Sequence, residues 1–136
     1  MDENLRNEVC RRAGNRCEYC RIHQDQFPFY TFPIDHVIAR QHRGATVLEN
    51  LALSCPNCKL FKGPNIASID PVSGELVPLF NPRKERWVEH FAWVGTTLVG
   101  LTPVGRATVE LLAINHPERL LLRESLMDEG VFPPED

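Results

Sequence analysis

Two Cys-x-x-Cys turns, Cys17-Glu18-Tyr19-Cys20 and Cys55-Pro56-Asn57-Cys58, stand 34 residues apart in a chain of 136 residues. Four thiolates in two matched turns are the full tetrahedral set for a structural Zn²⁺, because two-residue spacing lets both sulfurs of a turn reach one ion. The other readings are a redox dithiol in one turn, or buried cysteines unrelated to each other. A four-thiolate zinc is closed to substrate, so it explains shape, and chemistry has to come from other residues. The polar candidates lie between and just past the turns: Asp35-His36, Asn50, and Lys62 followed by Gly63.

The elements that must position these residues can be read from periodicity. Leu5, Val9 and Ala13 recur at helical spacing before Gly14, which predicts a helix over residues 3–13 carrying Cys10 as a packed apolar residue. Phe32 to Ile38 reads as a short strand, Arg40 to Thr46 as a polar loop, Leu51-Ala52-Leu53 as the returning strand, and a short helix follows Cys58 and stops near Gly63-Pro64. Beyond Pro64 the texture changes. Asp70 to Glu75 is a turn, Leu76 to Phe80 an apolar segment, and Asn81-Pro82 a cap and first position of a helical turn. Trp87, Phe91 and Trp93 lead into a hairpin across Gly95-Thr96, and helices start at Thr102-Pro103 and at His116-Pro117, the last ending at Gly130.

A hydrophobic content of 43% and a net charge of −3 describe a globular chain without a polybasic coat. Charge is uneven: residues 1–66 hold nine Arg or Lys against seven Asp or Glu, and 67–136 hold six against eleven. The first half is therefore the better candidate to meet phosphate. The charged start predicts no secretory or transit peptide, and the stretch Phe91 to Gly105 is too short and interrupted to span a bilayer. The expectation is a soluble, cytoplasmic protein with no membrane role, whose reduced thiols favour metal over disulfides.

The ordered set Cys17-x-x-Cys20, Asp35-His36, Gly44, Glu49-Asn50-Leu51 and Cys55-x-x-Cys58 resembles the HNH endonuclease family. The resemblance covers residues 5–64, and residues 67–136 resemble extensions on small bacterial members only loosely. It implies an α+β protein: a ββα-metal (His-Me finger) core with a four-cysteine zinc knuckle over 1–66, and a C-terminal extension of a hairpin and two helices over 67–136, packed on that core. The implied activity is metal-dependent hydrolysis of DNA phosphodiester bonds. His36 would be the general base, Asp35 the ligand of a catalytic Mg²⁺, Mn²⁺ or Ni²⁺, and Asn50 the holder of the loop and of the His36 ring. Arg40, Arg43, Lys59 and Lys62, with Arg21 in reach, would meet the DNA backbone in a weak, salt-sensitive and largely non-specific way.

One position departs from that pattern. The residue after the last knuckle cysteine is usually His or Asn and ligates the catalytic metal, whereas here it is Lys59, whose ammonium has no lone pair. Lys59 replaces the ion's charge, or the metal is held by Asp35 with waters and a group such as Asn57 or His42, or activity is lost. The corresponding alternative is a catalytically lapsed zinc-knuckle module that binds nucleic acid; a protein-interaction zinc domain, suggested by the acidic second half, is a third reading. Of the remaining histidines, His23 is a candidate to line the knuckle, His90 reads as a packing residue and His116 as a helix-junction residue.

Overall fold

The computed structural model describes residues 1–135 as a mixed α/β protein with three two-stranded antiparallel sheets. Helix α1 (Glu3–Ala13) starts where the Asp2 side chain accepts from Asn4 N–H and ends at Gly14, whose φ of 62° is left-handed. Strands β1 (Ile34–His36) and β2 (Leu51–Leu53) pair with Asp35 opposite Ala52 and His36 opposite Leu51. Helix α2 (Pro56–Lys62) follows at once. It begins before Cys58, because Cys55 caps it through its sulfur and Pro56 supplies a ready φ, so the second turn is itself the start of the helix. The strand expected over 32–38 is confined to three residues.

In the second half, β3 (Ala67–Ile69) pairs with β4 (Leu76–Pro78) across the turn at Asp70 to Glu75. This hairpin was legible only as a turn and one apolar segment, since Leu76 and Ile69 are exposed and do not alternate against a core. Asn81-Pro82 does open a single helical turn: the Asn81 side chain accepts from Arg83 N–H, the Asn81 carbonyl accepts from Glu85 N–H, and the short helix α3 (Trp87–His90) comes later. Strands β5 (Phe91–Val94) and β6 (Thr97–Gly100) form the hairpin across Gly95-Thr96, and α4 (Pro103–Leu111) and α5 (Pro117–Asp128) complete the described chain. Thr102 and His116 cap these two helices through their side chains.

One apolar cluster runs through both halves. Val9, Tyr19, Phe32, Leu51 and Leu53 from residues 1–66 pack with Phe80, Trp87, Phe91, Leu98, Leu112 and Ile114, and the four paired cysteines lie inside it. Trp87 donates its indole N–H to the Tyr19 carbonyl at 2.8 Å, and the Arg21 guanidinium lies 4.8 Å from the Trp87 ring centre, so the second half grips the first cysteine turn directly. No described helix is long and apolar enough to cross a membrane.

The fully buried Asp70 ties the β3–β4 turn to α4, taking two hydrogen bonds of 2.9 Å from Arg106 and one of 2.8 Å from the Ser73 hydroxyl. The Arg106 guanidinium, with help from Ser73 and the Val72 N–H, holds this carboxyl well below the usual carboxylate range. Its folded pKa is below its unfolded one, so the stabilisation is present above the ordinary carboxylate value and is lost as pH falls through the depressed one. Asp70→Asn is expected to lower the urea midpoint at pH 7 and to flatten the acid limb of the stability curve, measured by urea melts from pH 7 down to pH 2. An unchanged midpoint would remove this pair from the account of stability.

Candidate functional site

The two cysteine turns meet. The sulfurs of Cys17, Cys20, Cys55 and Cys58 all lie within 4.8 Å of one another and are buried, with Cys20 and Cys55 at 3.7 Å. Among the described residues this is the one group of Cys, His, Asp and Glu side chains that gathers as a metal site. Backbone N–H groups of Cys20 and Cys58 point at the sulfurs of Cys17 and Cys55, as in a thiolate cluster built for a cation. Burial holds the Cys58 thiol well above its usual range, while hydrogen bonds from the neighbouring sulfurs hold Cys20 well below it, and a divalent ion among the four favours their ionised forms. The donor set fits Zn²⁺: four soft thiolates, closed to solvent. His23 is not part of it; its Nδ1 accepts from Asp25 N–H and caps a short turn.

Sequence reasoning missed the cations behind the sulfurs. Arg119 of α5, buried, donates to Cys58 Sγ at 2.9 Å and to the carbonyls of Leu112 and Ala113. Burial by itself pushes a guanidinium down, and the negative charge on Cys58, Cys20 and Cys55 outweighs it and pushes Arg119 up. Arg123, also buried, stands one turn away and donates to the carbonyls of Thr96 and Ile114. A zinc bound by four thiolates carries two negative charges, and an isolated buried charge costs several kcal/mol, so α5 supplies the compensation that makes a buried cluster tolerable. The only sequence signal was the i,i+4 spacing of the two arginines on one helix.

The second cluster forms around Asp35, which is 1% exposed. The Tyr19 hydroxyl donates to its Oδ2 at 2.8 Å, Lys62 Nζ lies 3.0 Å from the same oxygen, and Lys59 Nζ lies 3.3 Å from Oδ1. Lys62 is itself buried and also donates to the carbonyls of His36 and Val37. Expected at the DNA backbone, Lys62 is thus withdrawn from it, because its ammonium is buried, donates to two backbone carbonyls and is ion-paired with Asp35 inside the protein. Tyr19, read only as a spacer inside a cysteine turn, is the residue that joins the zinc turn to Asp35.

His36 and Asp35 line a cleft of about 280 Å³ with Ala39, Arg40, Gln41, Lys59, Gly63 and Pro64. His36 Nε2 lies 2.9 Å from the Thr46 hydroxyl, a partner the sequence did not single out. Partial burial, then the Lys59 and Arg40 charges, push the imidazole below its usual value. Asn50 clamps the intervening loop: its Oδ1 accepts from Ile38 N–H, and its Nδ2 donates to the carbonyls of Ile38 and Ala45, each at 2.9 Å. It holds the loop and leaves the His36 ring to Thr46. Gly44 is needed at the same place, since a Cβ there would stand 1.7 Å from the Ile38 oxygen. Arg40 and Arg43 are exposed on this loop.

A divalent catalytic ion does not fit the Asp35 seat as these residues stand. Such an ion wants an open oxygen and keeps several waters, whereas both Asp35 oxygens are taken and the carboxylate is out of reach of water. Asp35 is the one carboxylate among the residues lining the cleft, and neither His42 nor Asn57 lines it. Two ammonium groups next to the seat repel a further cation.

Two cysteine turns brought together around a hairpin and helix, with an imidazole beside the cleft, make a small mixed α/β domain with a four-cysteine site for a metal. Residues 17–64 match the family model for HNH endonuclease. No curated protein and no solved structure matches the chain.

Metal analysis of the purified chain is expected to give one zinc per chain, and its removal by a strong chelator to abolish the cooperative thermal transition. Arg119→Met, which leaves the thiolate charge uncompensated, is expected to cost about 3 kcal/mol or more and to speed zinc loss to a chromogenic chelator. Zinc release at the wild-type rate would refute the compensating role.

Proposed function

We propose that the chain acts on DNA through the cleft beside His36, as an endonuclease that hydrolyses phosphodiester bonds with His36 as general base. The observation that carries this reading is an imidazole at the wall of a cationic cleft, pushed below its usual value by partial burial and by Lys59 and Arg40, within the span that matches the HNH endonuclease model. In the tautomer in which Nε2 donates to Thr46, Nδ1 keeps the lone pair that takes a proton from water. The oxygen of that water attacks phosphorus, the P–O bond to the leaving oxygen breaks, and the leaving oxygen is protonated from solvent. Asn50 is a positioning residue, acting through the loop that carries Arg40 and Arg43 to the phosphates. Backbone contacts of that kind carry no sequence information, so binding is salt-sensitive and largely non-specific. Localisation to the cytoplasm accords with reduced thiols at the zinc.

A second reading has its own observation. With Lys59 and Lys62 on Asp35, the domain is a zinc-knuckle module that binds nucleic acid and no longer cuts it.

Supercoiled plasmid nicking and duplex retention on a filter, each run with Mg²⁺, Mn²⁺, Ni²⁺ or EDTA, separate the two. The endonuclease reading expects nicking that falls by about 100-fold or more in His36→Ala, with retention unchanged. It also expects the rate to rise with pH through a midpoint below the usual imidazole value and then level off, since the lowered pKa makes the neutral base predominate at pH 7. Equal nicking by both proteins would remove His36 as base, and retention without nicking selects the binding module.

A further inference from the structure

The charge balance at Asp35 has one cation too many. Lys62, buried, hydrogen-bonded to two carbonyls and ion-paired with Asp35, already neutralises the carboxylate. Lys59 adds a second ammonium on the cleft side, with 37% of its side chain exposed. Among the described residues Asp35 is its one hydrogen-bond partner, which leaves two of its three N–H groups for solvent or an anion. The cleft it lines also holds Arg40 and the ring of His36, and no carboxylate besides Asp35. A surplus positive charge, oriented by a buried carboxylate and aimed at a cleft large enough for a phosphate group, is an anion seat.

We propose that Lys59 is a tethered cation occupying the place a divalent ion would take, so that the cleft binds a phosphodiester without added metal and excludes Mg²⁺ or Mn²⁺ from Asp35. The inference rests on the reading of the cleft as a phosphodiester site. Its physical basis is competition for one carboxylate. The ammonium is attached one residue past Cys58, so it is always present at its seat, while a free ion must shed waters and displace it against the fixed charge of Lys62. Asp35 then orients the ammonium, as a carboxylate orients any cationic side chain, and the N–H groups it does not use donate to the phosphate oxygens in charge-assisted hydrogen bonds.

The test uses the zinc-loaded full chain and two probes: Mn²⁺ alone, followed by electron paramagnetic resonance of the free ion, and a short DNA duplex titrated in EDTA. The wild-type chain is expected to leave millimolar Mn²⁺ free and to bind the duplex equally with EDTA or Mg²⁺. Lys59→Asn is expected to take up one Mn²⁺ per chain, and Lys59→Arg to take up none. Lys59→Met is expected to weaken duplex binding in EDTA by about tenfold, the loss of one charged hydrogen-bond donor. Stoichiometric Mn²⁺ uptake by the wild type, or unchanged duplex binding by Lys59→Met, would overturn the inference. Circular dichroism and zinc content of each variant separate loss of the seat from loss of the fold. A wild-type chain that binds no duplex in any condition overturns the nucleic-acid reading together with the anion half of the inference, and the Mn²⁺ titration still decides whether Lys59 holds the seat.

Discussion

Four sulfurs within 4.8 Å of one another hold together segments that local interactions alone would leave apart. Strands β1 and β2 have three residues each, too few to stand as a hairpin in water. Pinning residues 17–20 to 55–58 closes the loop that contains them, so the loss of chain entropy is met by metal binding and not by sheet length. A thiolate cluster of this kind carries net negative charge, and its burial is tolerable because Arg119 reaches it from the other end of the chain. The zinc knuckle and the last long helix are therefore one electrostatic unit.

From that unit a line of contacts leads to the cleft. Tyr19, held inside the first cysteine turn and gripped by Trp87, reaches Asp35 with its hydroxyl. Helix α2, capped by Cys55, presents Lys59 and Lys62, three residues apart and so on one helical face, to the same carboxylate. Asp35 thus sits at the meeting point of both cysteine turns and β1. Its buried position makes it a good anchor for ammonium groups and a poor one for a hydrated ion, since solvent cannot follow it. His36 turns to the cleft wall on the next residue of the strand, where the pleat reverses direction.

The same positions serve both as structure and as surface for chemistry. Asn50 spends all its side-chain bonds on the loop backbone, and that rigid loop presents Arg40 and Arg43. Function on this scaffold is a matter of which charges remain unspent once the fold is satisfied. Lys62 has none to offer, and Lys59 keeps part of its own.

Much of the arrangement was legible in the residues themselves. The paired cysteines declared a metal cluster because thiolate spacing is a local property, α1 declared itself through apolar residues at helical spacing ahead of Gly14, and α4 and α5 declared their starts because capping side chains and prolines act within a turn. The β3–β4 hairpin escaped, since its exposed apolar residues carry no two-fold alternation. The roles of Tyr19, Thr46 and Arg119 escaped for a different reason: each acts on a residue 10 to 61 positions away. Sequence alone could state that Asp35 and His36 are neighbours and that Lys59 follows a knuckle cysteine. Only the folded chain decided that Asp35 is buried and shared by two lysines, because burial and charge balance depend on what distant segments bring to the same point.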